Sequence, residues 1–326
     1  MKSILVTGAE GQIGSDLVDA LCARHGAEHV LATDLRPAPR YGTTAHRYEA
    51  LDVRDAARLR EVAERYEIDT VYHLASLLSA VGEQKPELCW DVNVNGLRHV
   101  LDVARALKLQ VFWPSSIAAF GPETPRLQTP QTTVLDPTTM YGITKVSGEL
   151  LCRYYAEHFG VDVRSVRFPG IISYSAPPGG GTTDYAVAIF HEALQKGRYT
   201  CFVRADTVLP MMYMPDAIRS MLAIMDAPAA QIRVRTSYNL AAISFSAAEL
   251  ATEIRRRLPH FAIAYAPDSR QAIADSWPAV IDDRRAREDW GWHHEFDLAA
   301  LVDDMLAHLA PKLNGSAGRR PAQPFP

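Results

Sequence analysis

The chain has 326 residues, 48% of them apolar and 22% charged, with a formal net charge of -4. That length exceeds one ordinary core and suits one large α/β domain with a smaller partner; the composition is that of a globular enzyme. The balance of charge offers nothing to nucleic acid or an anionic membrane surface, and no run of ~18 apolar residues offers a membrane helix.

Met1 and Lys2 lead directly into an apolar strand, so no signal or transit segment is expected. Cys22, Cys89, Cys152 and Cys201 lie far apart and form no CxxC pair. They read as buried thiols of a cytoplasmic protein, neither disulfides nor a zinc site.

In chain order, apolar runs at 3–7, 30–34, 70–75 and 110–116 read as buried strands. Amphipathic stretches at 12–24, 56–66 and 95–107 read as the helices between them. A long helix without internal proline is predicted at 141–159, then another strand at 163–168. Such alternation predicts a doubly wound parallel sheet of the Rossmann type. At Pro169 the pattern changes. Glycine and proline crowd residues 177–181, a helix follows at 185–195, and short strands then mix with helices at 215–225, 247–257 and 298–309. The expectation is a Rossmann domain over 1–168, rejoined by about 208–240, and a smaller C-terminal α/β substrate domain mainly over 169–310. Residues 311–326, without periodicity, are expected to form a disordered tail.

The first strand is followed by Thr7-Gly8-Ala9-Glu10-Gly11-Gln12-Ile13-Gly14. Gly8 permits a tight turn, Gly11 lets backbone approach a pyrophosphate, and Gly14 lets the next helix pack closely on the sheet. The N–H groups of that helix start, at Gln12 and Ile13, then favour phosphate. Asp34 ends the second strand 20 residues after Gly14, beside Leu35. A carboxylate there accepts hydrogen bonds from ribose hydroxyls and repels a 2′-phosphate, which favours NAD over NADP. Arg36 pulls the other way, since an arginine can receive that phosphate. Asp52 and Val53 follow the third strand, near an adenine, and Leu74-Ala75-Ser76 follow the fourth, beside the second ribose.

Tyr141 and Lys145 stand four apart on the long helix, stacked on one face. A free tyrosine titrates near ~10; a neighbouring ammonium and a positive nicotinamide both favour its phenolate. Ser116 ends the fifth strand 25 residues earlier and can share a substrate oxygen with the tyrosine; Ser115 beside it is assigned to the cofactor. Tyr and Lys at this spacing usually mark only a solvated helix face. The order glycine turn, acidic ribose partner, serine, tyrosine, lysine carries the case.

Together these residues resemble the extended short-chain dehydrogenases, the group that includes sugar-nucleotide epimerases and dehydratases, over roughly residues 1–310. The resemblance implies NAD as cofactor, catalytic roles for Ser116, Tyr141 and Lys145, and a structural place for Asn93 under the site. It also implies that Pro169, Gly170 and Ile171 pass the nicotinamide, and that a homodimer pairs helices 95–107 and 141–159.

Gly181, Thr182, Thr183 and Asp184 stand at a predicted helix start. Backbone N–H groups and two hydroxyls there suit a carboxylate, and Asp184 suits an ammonium, which together describe an amino acid. Capping of the helix by the same residues explains them equally well. Residues 170–173, 179–186, 209–214 and 276–278 resemble the family's L-threonine 3-dehydrogenase branch, which implies NAD-dependent oxidation of the threonine β-hydroxyl; the alternative is a sugar-nucleotide epimerase or dehydratase. Ser79 is either a substrate contact or a loop serine, and Trp277 either closes the pocket or belongs to the core. No HExxH or Cys/His set is present, so no metal is expected.

Overall fold

A computed structural model describes residues 3–39, 47–179 and 181–316. The first half runs β1 (Ile4–Thr7), α1 (Gln12–His25), β2 (Val30–Asp34), β3 (Arg47–Ala50), α2 (Ala56–Arg65), β4 (Thr70–His73), α3 (Ser79–Gln84), α4 (Pro86–Trp90), α5 (Gly96–Leu107), β5 (Gln110–Ser116), α6 (Met140–Phe159) and β6 (Val163–Phe168). The second half runs β7 (Gly170–Ile172), α7 (Tyr185–Lys196), β8 (Arg198–Cys201), β9 (Val208–Tyr213), α8 (Met214–Asp226), β10 (Tyr238–Asn239), β11 (Ile243–Ser246), α9 (Ala247–Arg257), β12 (Ala262–Tyr265), α10 (Arg270–Asp275), α11 (Arg284–Trp290) and α12 (Leu298–Ser316).

Seven parallel strands form one sheet in the order β10-β6-β5-β4-β1-β2-β3. Its central strands are buried throughout, as a parallel sheet covered on both faces requires. Alternation sends Ile4, Val6, Tyr72 and Phe112 to one face, under α1 and α8, and Leu5, Leu31, Val71 and Val111 to the other, under α2, α5 and α6. The sheet's edges differ from its centre. β10 is two residues long, and β3 carries Arg47 and Glu49, the latter bound by Arg58 and Arg65.

At Pro169 the chain steps from β6 into a second sheet, ordered β11-β9-β7, with β8 and β12 paired beside it. These and α7, α9 and α12 enclose a core around Tyr185, Phe190, Leu209 and Leu250. The chain then returns: α8 packs Met221 and Ile224 on the large sheet, and β10 joins its edge. The strand order reverses between β1 and β4, and that switch point opens a crevice at their carboxyl ends.

Three elements depart from expectation. The helix expected from residue 95 begins at Pro86 and passes through a wide π turn at Asp91–Asn95. Polar Asp91, Asn93 and Asn95 break the apolar period there, and the extra residue in the turn carries Asn93 into the interior. Ser79 opens a short helix instead of lying in a loop. The tail expected from 311 is helical to Ser316, despite Pro311. Tertiary packing overrides propensity: Leu309 is buried, Leu313 packs on the second core, and Lys312 Nζ lies 4.6 Å from the Tyr174 ring centre. Residues 317–326 lie outside the described set. Among the described residues no helix is long and apolar enough to cross a membrane.

Candidate active site

The β1–α1 turn is shaped by what glycine lacks. Gly8 has φ 69°, and a Cβ there would meet Ala75 N at 2.6 Å; at Gly14 it would meet the Gly8 carbonyl at 2.2 Å. Gly11 is the extended N-cap of α1, which has no side-chain cap and no acidic residue in its first turn. The first N–H groups of α1, at Gln12, Ile13 and Gly14, therefore meet no capping side chain and no acidic neighbour in the turn, an arrangement that suits an anion. Asp34, at the end of β2, accepts Glu10 N–H at 3.2 Å through one oxygen and Leu35 N–H at 2.8 Å through the other, which leaves lone pairs on both for hydroxyl donors.

Gly8, Gly11 and Asp34 line an open cleft of about 180 Å³. Of the residues assigned to the cofactor, Gly8, Gly11, Asp34, Leu35, Asp52, Val53, Leu74, Ala75 and Ser76 border it, and Leu51, Leu77 and Val92 join them. Val92 escaped the sequence because the π turn delivers it. Arg36 is exposed outside the cleft. Asp52 is bound through both oxygens by Arg54, whose guanidinium holds the carboxyl below the usual range. The glycine cradle, the uncapped helix start and the Asp34 carboxylate fit a dinucleotide.

The second cluster stands at the ends of β4, β5 and β6. Thr139 caps α6 by accepting Gly142 N–H at 3.1 Å, and Glu83 accepts Met140 N–H at 2.7 Å, so the helix start beneath Tyr141 is held twice. Tyr141 is half-buried with the Ser116 hydroxyl against its phenol. Burial pushes that phenol up to about 12, and the Ser116 hydrogen bond opposes the shift only in part. Lys145 is 3% exposed, donates to the Pro114 carbonyl at 2.7 Å, and sits 4.7 Å from the Trp113 ring centre and 5.4 Å from that of Tyr141. Burial brings its ammonium down to about 8. The ammonium was expected to lower the tyrosine; in the protein alone, desolvation wins.

Asn93 ties the two halves together. Its amide oxygen accepts from Ser76 Oγ at 3.2 Å and Leu77 N–H at 2.8 Å, while its nitrogen donates to Leu77 O and, at 3.0 Å, to Thr144 Oγ1 on α6. Ser115 is withdrawn from the cleft: alternation along β5 turns it opposite to Ser116, and its hydroxyl donates to Glu149 at 2.6 Å. Pro169 is buried at the crossing between sheets, and Ile171 packs against the core of the large sheet.

On the substrate side, Thr182 is buried, and Thr183 packs so closely on Gly170 that a Cβ there would lie 2.8 Å from its Cβ. The helix starts later than either threonine, with Asp184 at the N-cap position. Asp184 Oδ2 accepts Gly181 N–H at 2.9 Å, so half of the carboxylate expected to be open to an ammonium is committed to its own turn. Ser79 is half-buried, and Trp277 is a core residue of the second sheet's cluster. Among the described residues no group of three or more His, Cys, Asp or Glu is arranged for a metal ion.

The model for the NAD dependent epimerase/dehydratase family matches residues 4–241. The chain belongs to that family. It is 48% identical over 314 residues to an uncharacterised epimerase/dehydratase of Staphylococcus haemolyticus, covering 96% of this chain and 99% of the relative. Among solved structures it is similar to an L-threonine dehydrogenase from Clostridium difficile, at 49% identity and TM-score 0.94 over 96% of this chain and 98% of that one. It is also similar to a GalE-like L-threonine dehydrogenase from Cupriavidus necator in its holo form, at 53% identity and TM-score 0.92 over 94% and 99%.

Proposed function

We propose that this protein is an NAD-dependent dehydrogenase that oxidises the β-hydroxyl of L-threonine to 2-amino-3-oxobutanoate. The observation that carries the reading is the meeting of Ser116, Tyr141 and Lys145 beside the dinucleotide cleft, in a chain about half identical over nearly its whole length to dehydrogenases named for threonine. Gly8, Gly11 and the start of α1 hold the pyrophosphate, Asp34 the adenosine ribose, and Lys145 with Ser76 the nicotinamide end. Bound NAD supplies the hydride acceptor and a positive charge near the phenol.

The residues of the chain do the rest. Thr182 and Thr183 receive the amino-acid carboxylate, and Asp184, with one oxygen held by Gly181 N–H, offers its second oxygen to the ammonium. Ser116 donates to the β-oxygen and fixes it. Tyr141, as phenolate, takes the hydroxyl proton; at about 12 it needs added positive charge to do so at neutral pH, from Lys145 and from the occupied cleft. Positioning the β-carbon against the cofactor supplies most of the orientation advantage.

The test is NADH absorbance with L-threonine and NAD. Tyr141→Phe should lose at least ~100-fold in kcat/KM while keeping its NAD affinity; a native rate in that variant removes the assignment. The rival on this scaffold, epimerisation or dehydration of a sugar nucleotide, predicts turnover of such a sugar without net NADH. The buried apolar segment Leu209–Tyr213 speaks for a small substrate. We further propose a homodimer in the cytoplasm: Ile143, Leu150 and Tyr154, spaced along one face of α6, are 41%, 48% and 49% exposed, and the four cysteines are free thiols.

A further inference from the structure

A buried charge pair lies beneath the proposed catalytic face and takes no part in the steps above. Glu149 follows Lys145 by one turn of α6, so the two side chains are neighbours on one face. Its side chain is 1% exposed and that of its partner Arg167 is 4% exposed. Arg167 Nε donates to Oε1 at 2.8 Å and Nη2 to Oε2 at 2.7 Å, and the Ser115 hydroxyl donates to Oε1 at 2.6 Å. Arg167 Nη1 continues to Asn239 Oδ1 at 2.9 Å and to the Gln131 carbonyl at 3.2 Å. The pair thus joins α6, the ends of β5 and β6, and β10, which include the elements that carry Ser116, Tyr141 and Lys145.

Stability alone does not account for it. Buried ion pairs are commonly no better for a fold than apolar groups of the same volume, because desolvation opposes their attraction. The surroundings of Lys145 point to another role. Tyr141 and Cys152 face it from α6, Cys89 from α4 and His73 from β4. Burial pushes both thiols up, the phenol up to about 12 and the imidazole down to about 3, so in the protein alone all four are uncharged at neutral pH. Glu83 on α3 is bound to the Met140 N–H at the helix start. Glu149, gripped by a guanidinium, is the group facing Lys145 that brings negative charge.

We propose that Glu149, fixed by Ser115 and Arg167, is a positioning residue that keeps the Lys145 ammonium protonated beside Tyr141. The proposal rests on the reading of Tyr141 and Lys145 as the proton-transfer pair. Two variants test it: Glu149→Gln, and Glu149→Gln with Arg167→Met, which removes both charges and leaves no orphaned guanidinium. The readouts are the pH profile of kcat/KM and, without cofactor, the Lys145 titration by NMR of isotope-labelled lysine, assigned with Lys145→Met.

In the single variant the alkaline limb and the lysine midpoint should move to lower pH by about one unit, the scale of one neighbouring charge. In the double variant they should move less, because a repelling cation is gone too. If the single variant does not fold, the double variant decides. Folded variants that lose rate evenly across pH with the Lys145 midpoint unmoved overturn the proposal and leave a structural pair. If Tyr141→Phe keeps the native rate, the catalytic reading itself fails; an inactive Tyr141→Phe beside an unmoved midpoint sinks only the role of Glu149.

Discussion

Replacing Lys145 with methionine should abolish turnover and make the protein more stable. The ammonium is buried, and burial lowers it from 10.5 to about 8, with Cys152, Cys89 and Glu149 opposing. At ~1.4 kcal/mol per pH unit, the native state bears an upper bound of about 3.5 kcal/mol for holding that charge. That figure is already net of the contacts the ammonium makes, so methionine, which keeps the stem against Trp113, forfeits only what the uncharged amine would make of the 2.7 Å bond to the Pro114 carbonyl, ~1–2 kcal/mol. A net gain of about 1–2 kcal/mol is expected at neutral pH.

The sign follows from proton linkage. Between about 8 and 10.5 the unfolded chain holds the lysine proton that the native state has released, so wild-type stability rises with pH across that window. The variant's advantage should therefore be full below about pH 8 and shrink steadily above it. Denaturant titrations without NAD, repeated from about pH 7 to 10, measure both quantities. A variant less stable than wild type at neutral pH, or an advantage that ignores pH, refutes the reasoning.

Gly8→Ala must place a Cβ 2.6 Å from Ala75 N at a left-handed φ, and should cost about 2–4 kcal/mol and most of the NAD affinity; melting within about a degree of wild type would contradict this. Asp34→Ser removes the charged acceptor at the end of β2 and should reduce the preference for NAD over NADP at least ~10-fold by calorimetry; an unchanged ratio would move the discriminating residue elsewhere. Leu150→Glu places a charge on the exposed face of α6 and should sediment as a monomer, whereas an unchanged mass would relocate or remove the dimer.

The large sheet was legible because its strands are short apolar runs buried on both faces, and β2, β5 and β6 begin and end where the apolar runs do. Gly8 and Gly14 were legible because backbone geometry allows few residues at those places, and Asp34 because it closes the second strand at a fixed distance from the glycine turn. Val92 was hidden by a π turn, a change of helical pitch that leaves no periodic trace. Ser115 could not be separated from Ser116 until the strand's pleat gave them opposite sides, and Glu149 drew no attention because one carboxylate on a helix looks solvated until Arg167 is brought to it from β6. The extension of α12 past Pro311 depends on Leu313 and Tyr174, partners remote in the chain. β8 and β12 alternate exposed with covered positions over four residues each, too few for a period to register.

The borders of the large sheet have a consequence for crowded conditions. A parallel sheet ends in rows of unpaired amides that can template another chain. Here one border is a two-residue strand, and the other presents an arginine and a glutamate already gripped by two guanidiniums from α2. A foreign strand would have to break that charged clasp before it could dock. The molecule is built against lengthening strand by strand into fibres, and companionship between copies is left to its helices.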